Sequence, residues 1–211
     1  MFKKMAPKFK LFYEEFKNKE FSLLDIGCGN HSASIAKALF KNCRYYGVDR
    51  ENYNNSDRDF SLMEQFYKVD LEHDSLGVIP DNTFDVIMLS HVIEHLSNGL
   101  TVIAKLLPKL KQGGIIYIEY PSVRSLNFPS MKGTLNFCDD PTHIRLYDIK
   151  EICNLLLENE FRIHKAGNLR DPLKILQFPA LVLYHAMRGS LGAGVFWYVV
   201  GFADFVYARK K

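Results

Sequence analysis

The sequence contains few cysteines and no closely spaced pair among them. Four of its 211 residues are cysteine, scattered along the chain: Cys28, Cys43, Cys138 and Cys153. Structural zinc sites and the disulfide frameworks of small domains use closely spaced cysteines, so neither is indicated. We therefore predict no metal site and expect reduced thiols in a cytoplasmic protein.

The sequence also lacks a strong excess of charge of either sign. Its 27 Lys and Arg against 24 Asp and Glu give a formal net charge of +3. No basic run with interleaved aromatic residues is present, of the kind that follows a phosphate backbone. A nucleic-acid partner is therefore not predicted. The length suits a single domain spanning residues 1–211.

No uncharged apolar run is long enough to cross a membrane. In the apolar C-terminal segment 172–203, Lys174 and Arg188 break the run before the roughly 18 to 20 residues that a bilayer needs. We expect a helix at 173–187 that is buried in the fold; contact with a membrane surface or a partner is the alternative. Segment 1–20 lacks the apolar stretch of a secretory signal. Its alternating Phe and Lys favour a capping helix over one that lies on an anionic membrane.

Two short stretches carry most of the functional information. Residues 23–30, Leu-Leu-Asp-Ile-Gly-Cys-Gly-Asn, predict a buried strand, a glycine turn and the start of a helix. Gly27 permits a sharp turn, and Gly29 permits close approach of a ligand toward the free N–H groups of the helix start. A second strand at 45–49 ends in Asp49, 22 positions after Gly27. An acid about 20 residues after such a turn accepts hydrogen bonds from ribose, so the pattern predicts an adenosine-containing cofactor.

Strand and helix patterns alternate along the chain, which predicts a parallel sheet flanked by helices. The predicted strands are 22–26, 45–49, 65–69, 84–90, 115–119, 161–166 and one near Phe205, and the predicted helices are 32–40, 102–110 and 148–158. Ligands of such sheets bind beyond the carboxyl ends of the strands. Asp49 and Asp70 stand at successive strand ends and suit a ligand with a ribose and an exocyclic amine.

Five motifs in this order resemble those of class I S-adenosylmethionine-dependent methyltransferases, especially small-molecule enzymes such as the quinone-biosynthesis methyltransferases. They are the nucleotide turn 24–30, the ribose acid at 48–49, the adenine turn 69–71, the fourth strand with its following turn at 84–96, and the turn 110–114. The resemblance covers residues 21–166. It implies an α/β, Rossmann-like, seven-stranded and mostly parallel sheet, with helices on both faces and an antiparallel last strand. Gln112 replaces a proline of the family, and His31 replaces a third glycine that serves helix–strand packing.

The resemblance implies S-adenosylmethionine as the cofactor and S-adenosylhomocysteine as its product. The residues that it places against the cofactor lie at the ends of the first four strands: Asp25, Gly27, Cys28, Gly29, Asp49, Arg50, Asp70, Leu71, Ser90 and His91. Asp25 would hold the ammonium group directly or through water, and Asp49 would bind the ribose hydroxyls. Asp70 would accept from the adenine amine, and Leu71 would pack on the ring.

Histidines are the candidate catalytic residues, because an imidazole with a pKa of about 6.5 can take a proton from an acceptor. His91 follows a strand at the predicted cleft. His143 ends the long segment 121–147, predicted to be a substrate-side loop, and relatives often carry an acceptor-facing histidine there. We predict His91 and His143 as catalytic, the latter as a base or orienting group; a structural hydrogen-bonding role is its alternative. Glu94 and His95 are expected to cap and pack the next helix.

The predicted function is methyl transfer from S-adenosylmethionine to oxygen or nitrogen of a small molecule, with carbon methylation of a quinone-like ring as a variant. The polar loop favours a sugar-like acceptor, and the apolar C-terminal segment would accommodate a lipid-linked glycan and peripheral membrane contact. An NAD-dependent oxidoreductase shares the glycine turn and the ribose acid. A non-catalytic protein that binds the same cofactor is a third possibility.

Overall fold

Seven strands form one sheet within residues 5–211, the part of the chain that the computed structural model describes. They are β1 (Phe21–Ile26), β2 (Cys43–Asp49), β3 (Gln65–Lys68), β4 (Phe84–Ser90), β5 (Leu110–Pro121), β6 (Phe161–Asn168) and β7 (Ala203–Lys210). Their order in the sheet is β3-β2-β1-β4-β5-β7-β6. β1 to β5 pair in parallel, and β7 runs antiparallel to both of its neighbours. The Rossmann-like sheet with an antiparallel last strand is therefore confirmed.

Helices cover both faces of this sheet, as predicted. They are α1 (Pro7–Phe16), α2 (Ser32–Leu39), α3 (Asp57–Ser61), α4 (Gly99–Leu106), α5 (Ile149–Glu158) and α6 (Pro172–Met187). One apolar core lies between the sheet and the pair α4 and α5, and a second core lies under α1 and α2. The central strands β1, β4 and β5 are buried on both faces, which explains their nearly continuous apolar sequences.

The helix predicted at 102–110 occupies Gly99–Leu106 instead. It begins earlier because the Tyr147 hydroxyl lies 3.0 Å from the Gly99 nitrogen and accepts its N–H. It ends earlier because a 3₁₀ turn with Pro108 follows, and Leu110 already belongs to β5. The boundary error follows from a contact between residues 48 positions apart, which no local pattern contains.

Within the predicted N-terminal cap 1–20, α1 occupies Pro7–Phe16, and residues 1–4 lie outside the described part. Phe9, Phe12 and Phe16 are buried on one side of α1. Their rings pack against the second core, with the Phe12 and Phe40 rings stacked at 5.5 Å. The apolar side of α1 is therefore occupied by the protein and is not available to a membrane.

Two long connections flank the carboxyl ends of β4 and β5. The first, residues 122–148, joins β5 to α5 and corresponds to the predicted loop 121–147. The second, residues 169–202, joins β6 to β7 and contains α6, a 3₁₀ turn and a π-helical turn (Trp197–Gly201). None of the α6 residues is buried, so the expectation that this helix is buried in the fold is wrong. Within residues 5–211 no helix has both the length and the hydropathy to cross a bilayer.

Candidate functional site

The glycine turn after β1 has the backbone geometry that the sequence predicts. Gly27 adopts φ +72°, in the left-handed region that favours glycine. Its N–H donates to the Val48 carbonyl over 2.8 Å, which ties the end of β1 to the end of β2. A Cβ atom at this position would lie 2.5 Å from the Val92 side chain. Gly27 is therefore required both by the turn and by the residue packed beneath it.

Two backbone N–H groups just before α2 are already used by the protein itself. The Asn30 N–H donates to the Tyr53 carbonyl (3.0 Å), and the His31 N–H donates to Asn55 Oδ1 (3.1 Å). A Cβ on Gly29 would lie 2.7 Å from that same Tyr53 carbonyl oxygen. Gly29 thus allows the 50–56 loop to lie close to the turn, and this loop accepts the two N–H groups that precede α2.

His31 stands at the position of the family's third glycine, and its backbone conformation is one that glycine often adopts. It adopts φ +59° and ψ 26°, which glycine tolerates best and histidine tolerates better than most residues. Its Nδ1 lies 2.7 Å from Asp59 Oδ2, and Ser34 and Ser56 also donate to this carboxylate. Burial alone would raise the pKa of Asp59, but these hydrogen bonds lower it. The His31–Asp59 contact compensates for the missing glycine.

An open pocket of about 390 Å³ lies at the ends of β2 and β3, where the sequence predicts the ribose and the adenine. That volume lies within the range of small-molecule sites. Its lining consists of Arg50, Glu51, Lys68, Val69, Asp70 and Asp74. Asp49 ends β2 beside this pocket; burial raises its pKa, and the N–H groups of Glu51 and Arg50 partly oppose the rise. The predicted residues Arg50 and Asp70 thus share one cavity.

Asp70 also stabilises its own turn. Its Oδ1 accepts the Glu72 N–H over 2.9 Å, and Oδ2 lies 3.2 Å from His73 Nδ1. These hydrogen bonds lower the pKa of Asp70. Leu71 packs against the first core with part of its surface exposed. The turn is therefore held in place by protein contacts alone.

At the opposite end of the cleft, Asp25 is buried at the end of β1. Its Oδ2 accepts the Tyr45 hydroxyl over 2.6 Å and the Ser32 hydroxyl. Burial raises the pKa of Asp25, and the positive charge of Lys8 on α1 opposes the rise. Lys8 acts in the same direction on Glu119 at the end of β5. Lys8 was missed by sequence reasoning because its place beside two strand ends follows from the packing of α1.

Cys28 points away from the cleft. Its side chain is buried in the second core, and a Cβ on Gly47 would lie 2.6 Å from its sulfur. Burial raises the pKa of the Cys28 thiol, with further contributions from Asp25 and Asp49. Of the predicted cofactor residues, Cys28 therefore offers only its backbone to a ligand.

His91 lies between two buried carboxylates just after β4. Its Nδ1 is 3.2 Å from Glu94 Oε1, and its Nε2 is 3.2 Å from Glu119 Oε1 without the alignment of a hydrogen bond. Burial would lower the pKa of His91, but the two carboxylates raise it to about 10. The Trp197 and Phe202 rings lie 5.3 and 6.1 Å from the imidazole.

Sequence reasoning missed Glu119, Trp197 and Phe202. Only Glu119 carried a usable signal, because it ends a predicted strand at the edge where ligands bind. The two aromatic residues come from the 169–202 connection, more than 100 positions from His91. Ser90, also predicted for the cleft, ends β4 and is half-buried.

His143 is brought to the same edge by the 122–148 loop. Its side chain is 5% exposed, and its ring lies 4.9 Å from that of His95. The backbone N–H groups of Ile144 and Arg145 donate to the Glu94 carbonyl, which fixes the loop to the turn after β4. Glu94 and His95 lie in a 3₁₀ turn before α4, and neither side chain caps this helix. Their predicted capping role is therefore wrong.

The family is established by sequence. The sequence model of the methyltransferase domain family matches residues 1–166, so the chain belongs to this family. No protein of curated function matches the sequence. The chain is thus an S-adenosylmethionine-dependent methyltransferase.

Solved structures share the fold at low sequence identity. An S-adenosylmethionine-dependent methyltransferase from Archaeoglobus fulgidus has a TM-score of 0.62 at 21% identity, over 96% of this chain and 91% of that chain. A second one, from Aquifex aeolicus, gives 0.58 and 17% over 98% and 91%. Phosphoethanolamine N-methyltransferase 2 from Haemonchus contortus, in complex with phosphomonomethylethanolamine and S-adenosylhomocysteine, gives 0.64 and 15% over 95% and 52%.

The charged groups of the cleft fit S-adenosylmethionine. The cofactor carries a sulfonium and an ammonium, and the buried acids Asp25 and Glu119 lie toward the carboxyl ends of β1 and β5. The positive charge of Lys8 opposes the effect of burial on the pKa values of both acids. Asp49 and the adjoining pocket face the side where a ribose and an adenine would lie.

Proposed function

We propose that this enzyme methylates an oxygen or nitrogen atom of a hydroxyl-rich acceptor that is attached to a lipid. When bound, S-adenosylmethionine supplies an electrophilic methyl group on a sulfonium, and transfer requires the acceptor atom in line with it. Asp49 would hold the ribose hydroxyls, Asp70 would accept from the adenine amine, and Asp25 would hold the ammonium group. Gly27 and Gly29 would set the backbone under the methionine part.

The acceptor would enter between the 122–148 loop and the 169–202 connection. Trp197 and Phe202 form an apolar wall beside His91, and His143 stands on the loop side. His143 Nδ1 donates to the Phe137 carbonyl over 2.8 Å, because a carbonyl can only accept. Its Nε2 therefore carries a lone pair that can orient an acceptor hydroxyl or take its proton.

The observation that carries the lipid part of the proposal is the outer face of α6. Leu173, Leu176, Ala180, Leu183 and Met187 follow helical spacing and are all exposed. Leu176 and Met187 expose 78% and 79% of their surface, so the apolar stripe of the helix faces away from the protein. Monomeric proteins rarely expose such a stripe unless it binds something.

The charge around α6 favours an anionic bilayer as its partner. Residues 169–202 contain three basic residues (Arg170, Lys174 and Arg188) and one acid, Asp171. That acid pairs with Lys10 of α1 at 2.9 Å, so its charge is already balanced. An apolar stripe with flanking cations is the pattern of helices that lie in a membrane interface. On the inner side, Phe178 contacts Phe196 at 5.4 Å, which links α6 to the wall of the cleft.

The acceptor is tested with a matched pair of molecules. Radiolabelled methyl transfer is measured to a glycolipid in vesicles and to its water-soluble head group at equal concentration. We expect faster labelling of the glycolipid, with the label on oxygen or nitrogen. Equal labelling of the soluble head group would contradict the lipid requirement, and label on carbon alone would contradict the proposed atom.

Membrane contact is tested by sedimentation with neutral and anionic vesicles. The double variant Leu176→Glu/Met187→Glu should lose most binding to anionic vesicles, since each buried apolar side chain contributes about 1.5–3 kcal/mol. Leu157→Glu on α5 is the matched control, because this leucine is also exposed (52%) but lies outside the stripe. If α6 instead binds a second copy, the wild-type chain should elute as a dimer and sediment with neither vesicle.

A further inference from the structure

Three side chains with metal-binding atoms converge beside His91. Glu94, His95 and His143 each offer one ligand atom, and these atoms lie within 4.8 Å of one another. Glu94 and His95 come from the turn after β4, and His143 comes from the loop before α5. A hydrogen bond holds this loop against the turn, because the Ile144 N–H donates to the Glu94 carbonyl over 2.9 Å.

Both histidines are held in the tautomer that binds a metal through Nε2. Nδ1 of His143 lies 2.8 Å from the Phe137 carbonyl, and Nδ1 of His95 lies 3.1 Å from the Thr142 carbonyl. The Thr142 hydroxyl donates to Asp140, so it too can only accept from His95 Nδ1. Each Nδ1 must therefore carry the proton, and each Nε2 presents a lone pair. Metal-binding histidines are oriented in this way by a carbonyl on the opposite nitrogen.

The carboxylate of Glu94 is incompletely satisfied. Its residue is 1% exposed, and Oε1 is already engaged by His91 Nδ1 at 3.2 Å. Among the residues that the structure describes, the buried Oε2 has no hydrogen-bond partner. A buried carboxylate oxygen without a partner is costly, whereas a cation at this point would satisfy it.

We propose that Glu94, His95 and His143 form a binding site for one divalent metal ion of the zinc type, that is, one that accepts imidazole ligands. Two neutral imidazoles and one carboxylate are the ligand set of sites that keep open coordination positions. Magnesium and calcium prefer oxygen ligands alone, so the two imidazoles select against them. Bonds of about 2.0–2.1 Å at tetrahedral angles place ligand atoms about 3.3 Å apart, so the three side chains close inward on binding.

Three protein ligands would leave coordination positions of the ion open. A hydroxyl of the acceptor can bind there, so the ion would orient the acceptor in line with the methyl group. In this form His143 acts through the ion rather than taking a proton itself. This acceptor role rests on the proposed function, whereas binding of the ion does not.

The site is tested on the full chain after removal of metals with a chelator. Calorimetric titration with Zn²⁺ should show one ion per chain with a Kd of about 1 µM or tighter, and Mg²⁺ should bind at least about 100-fold more weakly. Stoichiometric Zn²⁺ binding should also raise the melting temperature. No saturable Zn²⁺ binding, or equal binding of Mg²⁺, would overturn the inference.

Variants locate the ion. His95→Asn and His143→Asn should each weaken Zn²⁺ binding by about 100-fold or more, while His164→Asn on β6 should leave it unchanged. Glu94→Gln keeps the shape and removes the charge, and its melting temperature reports whether it folds. If the double variant His95→Asn/His143→Asn is folded and still binds one Zn²⁺ as the wild type does, the site lies elsewhere and the inference is wrong.

The two proposals fail separately. Ion binding is measured without acceptor. S-adenosylhomocysteine should bind the chelated chain within about 2-fold of its affinity for the zinc-loaded chain, since Asp49 and Asp70, which would hold ribose and adenine, lie at the ends of β2 and β3, away from the ligands. If zinc binds as expected but soluble and lipid-linked acceptors are methylated equally, only the proposed acceptor is wrong. Full methyl transfer by a chelated chain that binds no zinc would overturn only the metal site.

Discussion

Removing the carboxylate of Asp49 should weaken cofactor binding by about 10- to 100-fold. Two ribose hydroxyls would donate to this carboxylate, and hydrogen bonds to a charged group contribute about 1.5–3 kcal/mol. Burial raises the pKa of Asp49, so the free enzyme already holds this charge at some cost. Asp49→Ala relieves that cost, which limits the expected loss to about 1.4–2.8 kcal/mol.

The measurement is calorimetric titration with S-adenosylhomocysteine at neutral pH. Asp49→Asn should lie between wild type and Asp49→Ala, because the amide keeps one acceptor oxygen and loses the charge. Asp57→Ala is the matched control: this exposed acid begins α3 close to the same loop, and its loss changes the net charge equally. Its affinity should stay within about 2-fold of wild type, since long-range surface charge is screened.

Two results would refute the reasoning about Asp49. The first is wild-type affinity in an Asp49→Ala variant whose melting temperature is unchanged, which would mean that the ribose is held elsewhere. The second is an equal loss in Asp57→Ala, which would mean that general charge rather than a local hydrogen bond sets affinity. If Asp49→Ala also fails to fold, its melting curve will show this. The affinity of Asp49→Asn is then the result that tests the reasoning.

Three further predictions concern stability, and each is checked by urea unfolding. Gly27→Ala should lower the free energy of unfolding by about 2–4 kcal/mol, because alanine at φ +72° is strained and its Cβ meets Val92. A decrease below about 1 kcal/mol would contradict the contact. Asp59→Ala should lower the free energy of unfolding by about 2–3 kcal/mol, because the hydrogen bonds from His31 and two serines are lost. His31→Ala should lower it by less. Asp59 and Asp85 have lowered pKa values in the folded state, so their stabilisation is present above about pH 4 and is lost as the pH falls further. The drop in stability between about pH 5 and pH 2 should therefore be smaller in Asp59→Ala; an unchanged drop over this range would contradict the assignment.

The fold and the cofactor end of the site were accessible from the sequence. Each parallel strand carries its own apolar run, and the functional residues follow it directly in the chain. Gly27 and Asp49 are local features of this kind, and the structure gives Gly27 the predicted positive φ. The assignments of Asp49 and Asp70 to ribose and adenine stay predictions, placed at the edge of one pocket.

Some errors came from reading local signals without their distant partners. Tyr53 and Asn55 accept the N–H groups of Asn30 and His31 just before α2, which the local pattern did not show. Glu94 and His95 were expected to cap a helix, and instead they face His91 and Thr142. The predicted absence of a metal site stays a prediction; it rested on cysteine spacing, which says nothing about the proposed ligands His95 and His143, 48 positions apart.

By itself the sequence determined the order of strands and helices and the chemistry at each strand end, because hydrophobic periodicity and turn residues are local properties of the chain. Only the tertiary structure decided which side chains meet across the cleft: Lys8 near Asp25, Trp197 on His91, and His143 beside Glu94. It also decided that the apolar stripe of α6 faces outward, since a helical pattern shows that one face is apolar but not what lies against it. Loops and insertions are placed by packing, and packing is a property of the whole chain.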